Sequence, residues 1–435
     1  MILTSKIAKI DTTNKMNVAF DVSYRTMEYF SEITGKIAGN SCKDVVEVHD
    51  RINNTTRDIK KMLRDLADLA KQRGYSGLHI VCEPTGSYSD ALMRLARKAG
   101  HTTAYVSGES VHKAKVIENN DASKSDIKDP RVIFMLSKMG KELTYRTLPP
   151  LYKKLRELNR MYDEADKRRI EARCKIHHFI VRLFCDYPMA KDFLYSPSGH
   201  ALMVHFGCNP YRITGRSYQD FRVTMIREAP GIREATLKSI YHNACLSALH
   251  IIPEEEHLAM EQRLFYAWED YLRADERKEK VRQQIESCYE LLWECGELLP
   301  QADMSFSSFQ ICRLAGEIGR LSDFPHWRVL FKYAGVNLRV RESGKFKGQI
   351  KFSKKGRNDL RAVAGKCVFG LVRRKQLFGP YYHSKKRSNP SMPGTKGMAI
   401  VERKLLRLYF SLGIRRARFS INRFTRCESQ YRMAA

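Results

Sequence analysis

The feature that most limits how this chain folds is a run of helical periodicity from Pro253 to about Leu299, carried by Leu258, Phe265, Trp268, Leu272, Val281 and Ile285. A helix that long does not belong inside a compact core, so it reads as a coiled-coil arm. A second charged helical pattern, with Leu155, Leu158, Tyr162 and Ala165, follows Pro149-Pro150 and runs from 151 to about 186. Between the two, residues 187–252 read as mixed: turn-rich at Ser196-Pro197-Ser198-Gly199, then helical from Glu234 to Leu249. The 435 residues therefore divide into three parts: 1–146, a helical connector at 147–304 with an inserted mixed segment, and 305–435.

The first part alternates strands and helices. Residues 16–40 read as two or three strands, including the apolar run Met16–Val22 with Asp21 near its end. Asp50–Arg73 reads as a helix, with Ile59, Leu63, Leu66 and Leu69 at three-to-four spacing. Leu78–Cys82 reads as a buried strand that ends at Glu83. A helix over Tyr88–Ala99 and a strand over Thr102–Val106 follow, and Ser125 or Asp126 caps a helix reaching Lys138. That order implies an α/β domain. In the last part, Phe309–Ile318 reads as helix. A basic hairpin turns at Ser343-Gly344, and helices are expected over Asp359–Arg373 and Met398–Leu412, with Pro380–Gly397 as a loop.

Charge is distributed unevenly. The net charge is +29, and from Trp327 onward 28 Lys and Arg face only four Asp and Glu. A basic segment interleaved with Phe, Tyr and Leu suits a polyanionic partner, because each phosphate neutralised releases counterions. The 11 cysteines show no C-x-x-C pair and no zinc spacing, which fits reduced thiols in a cytosolic protein. No signal-peptide pattern and no apolar run of about 18 residues is present, so the expectation is a cytoplasmic protein with no membrane partner. Walker, G-x-S-x-G and G-x-G-x-x-G motifs are absent, which argues against ATP use.

Two groups of residues carry chemistry. Asp21 lies at the end of the first strand and Glu83 ends a later buried one, and strand ends at one edge of a sheet converge, while Asp126 and Asp129 lie three apart at a helix start and so share a face. Four carboxylates converging on one pocket call for a cation, and hard oxygen ligands favour Mg²⁺ or Mn²⁺. The second group is Arg339-Val340-Arg341-Glu342-Ser343-Gly344-Lys345-Phe346-Lys347. Its four cations, Arg339, Arg341, Lys345 and Lys347, suit a phosphate, and a hydroxyl held among them is a candidate nucleophile if a metal or base activates it. Lys354, Lys355, Arg357 and Arg361 read as contacts to backbone phosphates.

In this order the segments resemble the DEDD recombinases of insertion sequences, a family that includes bridge-RNA-guided transposases and Piv-type DNA invertases. The resemblance rests on Val18-Ala19-Phe20-Asp21-Val22-Ser23, on Glu83-Pro84-Thr85-Gly86-Ser87-Tyr88, and on Lys124-Ser125-Asp126-Ile127-Lys128-Asp129. It continues at Tyr333-Ala334-Gly335-Val336, Glu342-Ser343-Gly344-Lys345 and Ser353-Lys354-Lys355-Gly356-Arg357-Asn358. The resemblance implies a RuvC-like (RNase H fold) first domain in which Asp21, Glu83, Asp126 and Asp129 hold the metal. It also implies a mainly α last domain with Ser343 as nucleophile, a homo-oligomer, and DNA with a structured guide RNA as partners. The chain departs from the family at Met304–Phe309, where a P-G-hydrophobic-G hairpin is absent, and at Pro130, where Ala is usual. Two rival readings remain: a RuvC-like junction nuclease that uses water, and a non-catalytic RNA- or DNA-binding protein.

Overall fold

The computed structural model describes residues 3–4, 12–33, 36–37, 40–41, 45–84, 86–119, 128–146, 148–339, 342–343, 346–348, 350–373 and 378–420. Of 3–4, 36–37, 40–41, 116–119, 128, 144–145, 342–343 and 346–347 it describes the backbone alone. The chain forms two compact units. One is Met1–Leu148 with Asp323–Arg361, and the other is Pro149–Ser322 with Ala362–Ala435.

The first unit contains the strands β1 (Leu3–Thr4), β2 (Met16–Val22), β3 (Thr26–Ile33), β4 (Lys36–Ile37), β5 (Asn40–Ser41) and β6 (Val46–Asn53), then helix α1 (Thr56–Gln72). It continues with β7 (Leu78–Cys82), α2 (Asp90–Lys98), β8 (Thr102–Val106), α3 (Gly108–Asn119), α4 (Lys128–Lys138) and β9 (Glu142–Tyr145). Seven strands form one sheet in the order β1-β9-β8-β7-β2-β3-β6. The pairs β2–β7 and β7–β8 are parallel, and β2–β3, β3–β6, β8–β9 and β1–β9 are antiparallel. Strand alternation splits the core in two. Val18, Phe20 and Val22 pack with α1 and α2 on one face. Ala19, Phe30, Val81, Ala104 and Val106 pack on the other with Val132, Ile133 and Phe134 of α4. Burial on both faces explains why Leu78–Cys82 is apolar but for His79, whose ring nitrogens bond Thr102 and Glu142.

The helix expected from Asp50 begins later. Val46–Asn53 is an edge strand, and α1 starts behind Thr55, whose hydroxyl accepts from the Asp58 N–H at 3.2 Å. As an edge strand it is largely solvent-facing, and its alternation, Val46, Val48 and Ile52, is broken at Asp50. Residues 121–127, with the expected cap at Ser125 or Asp126, lie outside the described residues. The 323–361 portion of this unit holds α12 (Trp327–Ala334) and two short antiparallel ladders. One joins β10 (Leu338–Arg339) to β13 (Lys351–Phe352), and the other joins β11 (Glu342–Ser343) to β12 (Phe346–Lys347).

The second unit is helical. Helix α5 (Pro150–Leu183) has 34 residues and packs along α10 (Glu254–Glu294), which has 41. Pro150 suits the first turn of α5, and Glu254, Glu255 and Glu256 meet the positive end of the α10 dipole. The long run is therefore half of a packed helix pair. Its buried stripe is Leu264, Trp268, Tyr271, Val281 and Ile285, whereas Leu258, Phe265 and Leu272 are 42%, 47% and 40% exposed. Within 187–252 the helix expected from Glu234 to Leu249 is present, and the turn-rich reading at Ser196-Pro197-Ser198-Gly199 changes. This segment forms α6 (Pro197–Phe206), α7 (Pro210–Thr214), α8 (Tyr218–Glu228) and α9 (Glu234–Ala248), which share a core with α5 and α10. Ser196-Pro197 starts a helix there, with the Ser196 hydroxyl accepting from the Gly199 N–H.

After α11 (Ser308–Ile318), which opens with a Ser307/Gln310 capping box, come α13 (Asn358–Arg373), α14 (Gly379–Ser388) and α15 (Gly394–Arg415). The expected loop at Pro380–Gly397 is thus mostly helix, since Pro380 takes the first-turn position that needs no N–H. The nine cysteines among the described residues are free thiols, and no described helix is long and apolar enough to cross a membrane.

Candidate active site

Asp21 is the penultimate residue of β2, so alternation puts it with Ala19 on the face that α4 covers. Phe20 lies opposite Cys82 in the parallel β2–β7 pair, so Asp21 and Glu83 leave adjacent strands at the same end. Asp129 sits in the first turn of α4. The three carboxylates interact. Asp21 is pushed up from 3.8 to about 6, first by burial, then by the charges of Asp129 and Glu83, with Glu28 adding to them. Glu83 is also raised, by burial first and then by Asp129. One cation opposes these effects: the Lys115 ammonium on α3 contacts the two carboxylate oxygens of Asp129 at 2.5 and 2.6 Å.

Among the described residues, no three His, Cys, Asp or Glu side chains form a ready-made metal cage. Asp126 lies outside those residues, and Lys115 occupies Asp129. The chemistry of the donor set nevertheless suits a hard divalent ion. All the donors are carboxylate oxygens, and burial already penalises the charge of Asp21 and Glu83.

A basic segment borders this pocket within the same unit. A Cβ on Gly108 would sit 2.3 Å from Oε1 of Glu83, so a side chain there would push the Glu83 carboxylate aside. The next residue, Glu109, accepts from Lys113 at 2.6 Å and from Lys355 at 2.7 Å, which together hold its carboxyl down at about 2. Lys355 belongs to a loop fixed by its own bonds. The Ser353 hydroxyl donates to Asn337 Oδ1 at 2.5 Å, and the Arg357 N–H donates to the Tyr333 carbonyl at 2.8 Å. Gly356 is pressed so close to Tyr333 that a Cβ would meet its carbonyl oxygen at 2.4 Å.

The expected phosphate contacts differ in their surroundings. Lys354, Lys355 and Arg339 are exposed. Arg357 has a side chain only 7% exposed and bonds Asp359, while Arg361 donates to the Ala334 and Gly356 carbonyls and to Asn358. Ser343 pairs with Phe346 and Glu342 with Lys347 in the β11–β12 ladder. Arg341, Gly344 and Lys345 lie outside the described residues, and Lys347 is described by its backbone alone.

Three residues of this neighbourhood escaped the sequence reading: Glu28, Lys115 and Glu109. Glu28 gave no signal of its own, because only the strand register places it directly opposite Asp21. Lys115 and Glu109 gave none either, since a lysine and a glutamate on a short helix ordinarily face water.

Two family models match the chain. The DEDD transposase model of the IS110 type matches residues 40–185, and the transposase IS116/IS110/IS902 family model matches residues 305–383. The chain belongs to the IS110 family of DEDD transposases. The first match includes Glu83, Asp126 and Asp129 and begins after Asp21, and the second includes Ser343 and the whole Arg339–Arg361 stretch. No curated protein matches the chain. A transposase of this family is an enzyme that acts on DNA, and the DEDD type uses a divalent metal.

Proposed function

We propose that this IS110-family transposase cleaves and rejoins DNA through Ser343, with Asp21, Glu83, Asp126 and Asp129 as the metal-binding tetrad of an RNase H-like, RuvC-type domain. The sheet order supports that fold. Three antiparallel strands (β6, β3, β2) continue into two parallel ones (β7, β8), with the acids at the ends of the central pair. The observation that carries the reading is the convergence of Asp21, Glu83 and Asp129 beside the Lys355 loop. An acidic pocket bordered by phosphate-binding cations is what phosphoryl transfer on DNA needs.

Bound Mg²⁺ or Mn²⁺ would polarise the scissile phosphate and stabilise the leaving oxygen. The chain's own residues do the rest. Ser343 Oγ attacks phosphorus as the bond to a deoxyribose oxygen breaks, and that oxygen leaves as a hydroxyl after taking a proton. Arg341 and Lys345 hold the charge of the five-coordinate phosphorus. Arg339, Lys347, Lys354 and Lys355, with Arg357 and Arg361 at the loop base, line up the backbone phosphates. The phosphoserine link conserves the bond energy, so rejoining needs no ATP. In this scheme 1–146 binds metal, 147–304 is a coiled-coil connector and 305–435 supplies the serine. The protein works as a homo-oligomer in the cytoplasm of a bacterial or archaeal cell. A structured guide RNA is part of the proposal, supported by the family and by a net charge of +29.

A suicide DNA substrate tests the serine step. Wild type should trap a covalent adduct on Ser343, and Ser343→Ala should lose both adduct and recombination while still binding DNA. Recombination by Ser343→Ala would favour the water-using nuclease.

A further inference from the structure

Glu28 is a described acid beside the tetrad to which neither the motifs nor the family assigns a task. It lies on β3 directly opposite Asp21 in the antiparallel β2–β3 pair. Side chains so placed share a face of the sheet, with Cβ atoms about 5 Å apart. Its neighbours two residues along each strand, Phe30 and Ala19, both pack on the α4 face. Glu28 is 8% exposed. On its outer side Arg51, opposite it on β6, reaches Oε1 at 3.7 Å, while Oε2 is buried and has no hydrogen-bond partner.

As a structural residue this glutamate makes poor sense. Two acids directly opposite each other across an antiparallel pair repel, and a buried carboxylate oxygen without a donor costs free energy that an apolar side chain would avoid. Arg51 is largely exposed and too distant for a hydrogen bond, so it offsets little of this. Its open Oε2 can take a hydrogen bond from a group the chain does not supply.

We infer that Glu28 is a positioning residue of the metal centre, its free Oε2 accepting from a water of the divalent ion that Asp21 binds. The inference rests on the metal reading above. Groups that hold a metal's own ligands or waters change its affinity by about 10- to 100-fold when removed.

The test is Mn²⁺ binding to the full-length protein, followed by electron paramagnetic resonance, with thermal melting in EDTA measured alongside. Wild type should bind Mn²⁺. Glu28→Gln should bind it at least about tenfold more weakly, with a melting temperature in EDTA equal to or above wild type because the repulsion with Asp21 is gone. Should Glu28→Gln fail to fold, Glu28→Asp decides: it keeps the charge, withdraws it by one methylene and should weaken Mn²⁺ binding in a normally folded protein. A folded Glu28 variant with wild-type Mn²⁺ affinity overturns the inference and leaves the tetrad standing. Wild type that binds no Mn²⁺ overturns the metal reading itself.

Discussion

The protein buries charge in two regions and treats it in opposite ways. At the seam between α5 and α11, every buried ionic group is matched. Arg313, 3% exposed, donates to Asp163 at 2.7 Å and to Asn159 Oδ1 at 3.3 Å, and its guanidinium lies 4.7 Å from the ring centre of Tyr162. The Asn159 amide donates in turn to the Arg313 carbonyl and to Glu317, and Lys366 adds a second cation to Asp163. At the end of β2 and β7 the matching stops. Asp21, Glu28, Glu83 and Asp129 share the charges of Lys115 and Arg51, and one carboxylate oxygen is left with no partner. Burial alone therefore does not mark a functional site. A charge balance left open does, because the site is completed by something the chain does not supply.

The largest effect should come from the open region. Asp21→Asn should lower strand transfer by about 1000-fold or more, equivalent to about 4 kcal/mol of transition-state stabilisation, without harming the fold. The comparison is sharpest without metal. Asp21 has a folded-state pKa near 6 against 3.8 for the free side chain, so between those values the folded state holds more protons than the unfolded one. Stability in EDTA therefore falls as pH rises from about 4 to 6 and flattens above. The melting temperature of wild type relative to Asp21→Asn should drop across that window. A flat difference would mean that Asp21 carries no burden of like charge, and the contrast between the two regions would collapse.

In the closed region the same kind of change should act on stability. Arg313→Met leaves buried Asn159 short of a donor and the partly exposed Asp163 with Lys366 alone, and should cost about 1–3 kcal/mol, read from the urea midpoint. Replacing Arg313 and Asp163 together by apolar residues of similar size should recover most of that loss, because a buried pair and a well-packed apolar substitute come out nearly even. Lys366, about half exposed, then returns to water. If the single variant proved neutral, the seam would not be a matched network.

How far each region was legible follows from what the sequence encodes locally. The strands β2, β7 and β8 were readable because burial on both faces leaves mostly apolar runs, and Asp21 and Glu83 stood out as acids ending them. The edge strand β6 was not, because its short alternation of Val46, Val48 and Ile52 is broken at Asp50, and its residues merged with the helix that follows. In α10 half of the stripe was right: Trp268, Val281 and Ile285 are buried, whereas Leu258, Phe265 and Leu272 face water. Which side of a helix is buried depends on its partner, and α5 and α6–α9 select Leu264 and Trp268 over Phe265. Glu28 and Lys115 matter only through neighbours 7 and 14 residues away, Asp21 and Asp129, so strand register and helix packing had to be seen first. The proline-marked starts of α6 and α14 were misread because Ser-Pro and Gly-Pro serve turns and first helical turns equally well.

The smallest expected effect lies on the rim that joins acidic pocket and basic loop. Lys355 is bonded to Glu109, yet both are exposed, so their ion pair adds little to stability. On DNA binding a phosphate replaces Glu109 as the partner of Lys355, and counterions leave the DNA. Lys355→Ala should therefore leave melting unchanged and weaken DNA binding evenly across sequences. It should make the log–log dependence of affinity on salt shallower by about one. Arg357→Ala should behave differently: its side chain is nearly buried against Asp359, so the variant should melt earlier and loosen the whole loop. Glu109→Gln supplies the control, since removing the competing carboxylate should tighten DNA binding slightly while leaving the number of phosphate contacts, and so the salt slope, close to wild type. An unchanged slope in Lys355→Ala would show that the Lys355–Glu109 pair merely stitches the loop to α3, and that DNA follows another face of the basic segment.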